Sequence, residues 1–245
     1  MKRIITTVLV ALVICLPYTL QAGVEHLLPK VQMIEDTGKE PFVLGRPVKV
    51  VYSGGAAQCP LLEEILVDNG CALAQKGATV KIRLVKSIKG AYDYELYGYE
   101  NEAYTLKVSA DKILIEAVTN TGVIRAAQTL AQLAEGCEKG YEAIPAVKIT
   151  DWPAFKLRGY MHDTGRSYIP VDELINQIEL LSRFKVNTFH WHLTENQAWR
   201  FEVKAYPELT SVTSMTRHEG EYYTQEECLA VMEAAKKHGV IVIPE

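Results

Sequence analysis

From Leu157 to Ile243 apolar stretches alternate between two periods, and this alternation constrains the fold more than any other feature of the sequence. Leu157 to Asp163 reads as a strand. Val171 to Lys185 then carries Leu174, Ile175, Ile178, Leu181 and Phe184 at helical spacing, and Val186 to Leu193 reads as a strand again. Thr224-Gln225-Glu226-Glu227 is a capping box in which the threonine hydroxyl and the glutamate carboxylate each satisfy a free amide of the first turn. The helix it opens closes at Lys236-Lys237-His238-Gly239, and Val240 to Ile243 reads as a buried strand. Strand, helix, strand, helix, strand with apolar strands predicts parallel β/α winding. About three such units precede Glu245. They cannot close an eight-stranded barrel and would leave a long edge unpaired, so the expectation is a truncated or fragmentary (β/α)8 TIM barrel over residues 151–245.

The preceding residues have a different rhythm. Val48 to Tyr52 is a short strand, and Pro60 opens a helix with Leu61, Leu62, Ile65 and Leu66 at helical spacing. Val80, Ile82 and Leu84 alternate as a half-buried strand. Tyr104 to Val108 and Ile113 to Val118 form a hairpin across Ala110-Asp111-Lys112, and Gly122 to Leu133 is a helix. This order predicts an α+β domain over residues 23–150, bounded by Asp151-Trp152-Pro153, where proline restricts the residue before it.

At the amino terminus Lys2 and Arg3 precede an apolar run from Ile4 to Leu16, with Ala22 at the expected cleavage point. The run is shorter than the roughly 20 residues that span a bilayer. Residues 1–22 therefore read as a signal peptide, placing the mature protein in the periplasm or at the cell surface with no stable membrane span. The remaining Cys59, Cys71, Cys137 and Cys228 are sparse and lack CxxC spacing, which favours buried thiols over a Cys59 to Cys71 bridge. A formal charge of -4 leaves no basic footprint for nucleic acid.

Functional groups of β/α barrels sit at the carboxyl ends of strands. His190, His192, Glu195, Asn196, Trp199 and Arg200 all fall at or just past such an end, and the connection from Thr194 to Thr224 is about 30 residues, long enough to carry function. His190 and His192 share one face of their strand, with Trp191 turned toward the helices. Such a pair can chelate a metal; in the other reading both imidazoles are packed and hydrogen-bonded in the barrel mouth. No further ligand is evident nearby in sequence, so spacing favours the second.

Arg158-Gly159-Tyr160-Met161-His162-Asp163 with Arg166, then Phe189-His190-Trp191-His192-Leu193-Thr194-Glu195 with Trp199-Arg200, then Tyr206-Pro207-Glu208-Leu209-Thr210, resembles the start of the catalytic barrel of family 20 glycoside hydrolases, the β-N-acetylhexosaminidases. The segment from Tyr104 to Leu133 resembles the small domain that precedes it. The resemblance implies retaining hydrolysis of terminal β-linked N-acetylglucosamine or N-acetylgalactosamine, with the substrate's own acetamido oxygen as nucleophile and no metal or other cofactor. It implies an Asp-Glu pair that polarises the acetamido group and protonates the leaving oxygen; no segment before Glu245 matches it, so the chain by itself is expected to be inactive. Arg158 is carried over as the arginine that holds sugar hydroxyls, its other reading being an ion pair with Asp163. Glu195 stands where the family usually has aspartate, and His192, Asp163 and Trp199 join these as expected glycan-binding residues. Two other readings stay open: a metal-dependent barrel hydrolase using His190 and His192, and a non-catalytic carbohydrate-binding fragment.

Overall fold

The computed structural model describes residues 24–91, 99–136 and 143–245; the expected signal peptide and Cys137 lie outside the described residues. The elements run β1 (Met33–Asp36), β2 (Phe42–Val43), β3 (Pro47–Ser53), α1 (Pro60–Asp68), β4 (Ala72–Leu73), β5 (Ala78–Leu84), β6 (Tyr104–Ser109), β7 (Lys112–Ala117), α2 (Asn120–Glu135), β8 (Ala143–Ile144) and β9 (Val147–Asp151). They continue through β10 (Gly159–Asp163), α3 (Val171–Arg183), β11 (Thr188–His192), β12 (Thr194–Glu195), β13 (Ala198–Trp199), α4 (Gln225–Lys237) and β14 (Ile241–Pro244).

Alternation in β3, β5, β6 and β7 sorts side chains between two faces of a mixed seven-stranded sheet, ordered β1-β9-β6-β7-β5-β3-β4. Val48, Val80, Ile82, Leu106, Ile113 and Ile115 are fully buried against Leu62 and Leu66 of α1 and Ala126, Leu130 and Leu133 of α2. The other face is polar: Glu116 bonds Arg83, and Lys107 approaches Glu116 to 3.4 Å, a surface cluster. Cys59, Cys71 and Cys228 are buried free thiols, and burial pushes the Cys228 thiol up to about 11.

The second sheet is parallel, β10-β11-β14. Phe189 and Trp191 face α3 and α4, packed with Leu174, Ile178, Tyr223, Val231 and Ala235. Thr224 caps α4 through the predicted reciprocal bonds with Glu227, and Gly239, at φ 67°, takes the left-handed turn that ends it. One expectation fails: β14 is not a buried strand. Ile241 and Ile243 are 66% and 46% exposed, because they share the sheet face that no helix covers. Among the described residues, no helix is long and apolar enough to cross a membrane.

The two sheets are joined by buried charge. Glu102 accepts from Arg125, Arg158 and Asn187, while Arg125 also donates to the Gly239 carbonyl at 2.8 Å. Beside it the Lys185 ammonium lies 2.7 Å from Asp151 Oδ2, which also accepts from the Tyr104 hydroxyl at 3.0 Å. Arg125 and Arg158 together hold the Glu102 carboxyl below the usual range against the opposing effect of its burial.

Candidate active site

The register of the parallel ladder decides which side chains meet. Asp163 pairs with His192 at the carboxyl ends of β10 and β11. There the chain turns: the amides of Thr164 and Gly165 both donate to the His192 carbonyl at 3.0 Å, prolonging the ladder. A Cβ on Gly165 would lie 3.1 Å from the Glu195 Cβ and 3.3 Å from Asp163 Oδ1, so a bare backbone lets Glu195 close on the turn. Arg166 folds back over it, its amide 2.9 Å from Asp163 Oδ1 and its Nη1 2.7 Å from Asp163 Oδ2, while its Nη2 donates to Glu195. His192 Nε2 approaches Glu195 Oε1 to 3.4 Å without hydrogen-bond geometry.

One guanidinium thus bridges two carboxylates, and its side chain remains 52% exposed. Charge-assisted bonds fix the carboxylates, while lone pairs on their oxygens and the exposed guanidinium edge stay free for a polar ligand. Trp199 faces Thr194 across the β12–β13 hairpin, its indole N–H on the Phe201 carbonyl at 2.7 Å and its side chain partly exposed. Asp163, His192 and Glu195 are therefore brought together at one strand end, with Trp199 in the hairpin that follows.

Arg158 is not among them. It precedes β10, at the amino end of the same strand whose carboxyl end carries Asp163, and its guanidinium is spent on Glu102, the Lys185 carbonyl at 2.7 Å and the Phe155 carbonyl at 2.8 Å. Five strand residues at roughly 3.3 Å each separate it from the cluster. Asp163 pairs with Arg166, so neither expectation for Arg158 matches its place. Arg166 was the missed residue. Its signal is the spacing of three from Asp163, which at a turn lays the guanidinium over the carboxylate. A cavity of about 210 Å³ lies between the sheets beside Glu102, Tyr104, Arg158 and Lys185, at the amino end of β10 and away from the strand-end cluster.

The long connection after β13 is held by Arg200. It is fully buried and donates to the carbonyls of Thr164, Gly165, Arg217, His218 and Glu221, at 2.6 to 3.4 Å. Two of those carbonyls belong to the turn that carries Arg166, so Arg200 ties the loop after β13 to the loop after β10. His190 does not reach Glu195; with His192 it bonds Glu245 instead, and that carboxylate raises the His192 pKa.

Residues 25–152 match the model of glycosyl hydrolase family 20, domain 2, and residues 155–245 that of the family 20 catalytic domain. A β-hexosaminidase of Porphyromonas gingivalis is 39% identical over 158 residues, covering 60% of this chain and 20% of the relative. β-Hexosaminidase 1 of Coccidioides posadasii is 31% identical over 205 residues, covering 82% and 34%. The crystal structure of a Bacteroides fragilis β-N-acetylhexosaminidase superposes with a TM-score of 0.73 at 28% identity, covering 89% of this chain and 44% of that one. That of a Vibrio harveyi exo-β-N-acetylglucosaminidase in complex with N-acetylglucosamine gives 0.72 at 28%, covering 90% and 36%. The chain thus spans less than half the length of each of these proteins. With one family model over its first sheet and another over its second, the chain belongs to glycosyl hydrolase family 20.

Proposed function

We propose that these residues supply the sugar-gripping wall of a β-N-acetylhexosaminidase, which releases terminal β-linked N-acetylglucosamine or N-acetylgalactosamine from glycans with retention. The observation that carries this reading is the Asp163–Arg166–Glu195 cluster at the carboxyl ends of β10 and β11, where barrel enzymes place their chemistry. In this reading β10, β11 and β14 are the first strands of a (β/α)8 barrel spanning 151–245, preceded by an α+β domain over 23–150, and the mature protein is exported to the periplasm or cell surface.

Arg166 takes the role that the resemblance alone assigned to Arg158. Its exposed guanidinium offers paired donors to adjacent sugar hydroxyls, and Asp163 and Glu195 accept hydroxyl protons from the same ring. Trp199 offers an apolar edge to the sugar, and His192 supports Glu195. Hydrolysis further requires an Asp-Glu pair, to polarise the acetamido oxygen that attacks the anomeric carbon and to protonate the leaving oxygen. The sequence through Glu245 has no match to that pair, so residues 23–245 alone are expected to bind and not to hydrolyse.

The test measures intact mass and hydrolysis of 4-nitrophenyl N-acetyl-β-D-glucosaminide on protein purified from its natural source, beside N-acetylglucosamine binding by residues 23–245. Retaining hydrolysis by the natural protein, with binding by the shorter chain that Arg166→Ala removes, supports the reading. Absence of both, hydrolysis by the natural protein and binding by the shorter chain, sinks it.

A further inference from the structure

The first sheet has a face turned away from both of its helices, and the charge on that face is one-sided. The ladder sets Lys49, Lys81, Arg83, Lys107, Lys112 and Lys148 there, opposite to the side chains packed on α1 and α2. Among the described residues of these strands, only Glu116 and Glu35 answer them on the same face. Glu116 binds Arg83 and lies 3.4 Å from Lys107, and Glu35 lies 2.9 Å from Lys148, so Lys49, Lys81 and Lys112 have no acidic partner among the described residues. The formal charge of -4 on the whole sequence hides this excess, because strand alternation sorts the cations to one side.

Neither folding nor protection of the sheet accounts for that pattern. Lysine is unfavourable within strands, and lysines that guard a sheet against pairing with another chain belong on its edges; yet β3, β5, β6, β7 and β9 all lie inside the order β1-β9-β6-β7-β5-β3-β4. Lys107 even stands directly across from Lys148, a cross-strand pair of like charge. With Lys81 they form one row over β5, β7, β6 and β9, spanning roughly 14 Å at about 4.8 Å per strand. Lys49 and Lys112 begin a second row two residues along. The face also points away from the second sheet. Both helices lie between them, with Glu64 of α1 2.6 Å from Lys237 of α4 and Arg125 of α2 on the Gly239 carbonyl. Strands added beside β14 would extend the second sheet and leave this surface open.

The kind of partner follows from the side chains between the cations. Val51 and Leu114 are half-buried among the lysines and project nothing into a bilayer, so the apolar half of a membrane anchor is missing. Among the described residues, no aromatic ring stands in the two rows to stack on a base. Spaced ammonium groups on a flat surface suit an extended polymer that offers repeated carboxylate or sulfate groups. We propose that this face binds an acidic polysaccharide and keeps the protein on the glycan whose free ends the sugar wall engages. The choice of a glycan over another polyanion rests on the glycosidase reading; the one-sided charge does not. Many weak contacts of this kind raise the local concentration of chain ends without any new contact at the sugar site.

Binding of fluorescein-labelled heparin to the full chain is followed by anisotropy, beside neutral dextran, phosphatidylglycerol vesicles and single-stranded DNA. The expected result is heparin binding that weakens at least about tenfold between about 50 and about 200 mM salt, as release of counter-ions requires. Lys81→Gln, Lys107→Gln and Lys148→Gln combined should weaken it at least about tenfold at constant salt. Lys39→Gln, Lys204→Gln and Lys236→Gln combined, the same charge removed from other exposed positions, should leave it within about twofold. Should circular dichroism show the first set unfolded, Lys49→Gln with Lys112→Gln is compared with Lys204→Gln and Lys236→Gln instead. No heparin binding at low salt overturns the proposal, as does equal weakening by the two sets. Tighter binding to the vesicles or to DNA than to heparin also overturns it, giving the face to a lipid surface or to nucleic acid. Hydrolysis of 4-nitrophenyl N-acetyl-β-D-glucosaminide, a small neutral substrate, should be the same in all these variants. Its absence throughout sinks the glycosidase reading and leaves the heparin result standing, so the two failures are told apart.

Discussion

The two ends of β10 each carry an arginine bound to acid, and they do opposite things. At the amino end Arg158 shares Glu102 with Arg125 between the sheets, with side-chain exposures of 16%, 15% and 3%. At the carboxyl end Arg166 bridges Asp163 and Glu195 and stays 52% exposed. Charges taken out of water need partners inside the protein, and those of the first cluster are turned toward one another and toward main-chain carbonyls. A half-exposed cluster keeps its spare donors and acceptors hydrated, and a sugar hydroxyl can replace that water. What separates the two arginines is therefore the end of the strand and the solvent it meets, not the residue or its partner.

The largest expected effect comes from breaking the buried side. Glu102→Ala leaves two guanidinia beside each other without their carboxylate and should cost roughly 3–5 kcal/mol in urea unfolding; a loss under about 1 kcal/mol would show that water reaches the interface. Arg158→Ala should cost about 2–3 kcal/mol, for the charge-assisted bonds it makes, yet leave N-acetylglucosamine affinity of the folded protein unchanged. Arg166→Ala should reverse this pattern, costing no more than about 1 kcal/mol while removing sugar binding. Equal effects of these two variants on affinity would erase the distinction between the ends.

A smaller effect follows from acid. The folded Glu102 carboxyl titrates below its unfolded value of about 4.3, so the stability it contributes is complete above that pH and is lost as pH falls through the lower, folded value. Between about pH 5 and pH 3 the unfolding midpoint of Glu102→Gln should therefore fall less steeply than that of the unaltered protein. Parallel slopes would mean that Arg125 and Arg158 do not depress this group. Smallest of all, Glu195→Asp, which withdraws the carboxylate by one methylene, should change stability by under about 0.5 kcal/mol and change sugar affinity more than stability. Unaltered affinity would remove Glu195 from the proposed wall.

Much of this was readable before any coordinates. The helices from Pro60 and Gln225 and the hairpin of β6 and β7 lie where period and capping chemistry put them. β1 was not seen, because Met-Ile-Glu-Asp neither alternates nor buries a side chain, and its pairing with β9 crosses more than a hundred residues of sequence. An apolar run such as Ile241 to Pro244 reports suitability for burial, not which layer covers it, so its exposure could not be foreseen. At the site, the common face of His190 and His192 followed from strand alternation, and the place of Glu195 beside them came from the family resemblance. The exchange of Arg158 for Arg166 did not, since a motif orders residues along the chain without saying which of them stand at the solvent end. Glu245 stayed hidden for a related reason: its neighbours His190 and His192 are reached only across the ladder.

Arg200 has a consequence of its own. Its positive charge is dissolved in main-chain carbonyl dipoles, as an alkali ion is dissolved in a crown ether, with no carboxylate bonded to it among the described residues. Carbonyls do not titrate, and dipoles in a closed shell are little screened by salt. The long connection should therefore keep its shape as acidity and ionic strength change, and present a fixed rim to whatever enters.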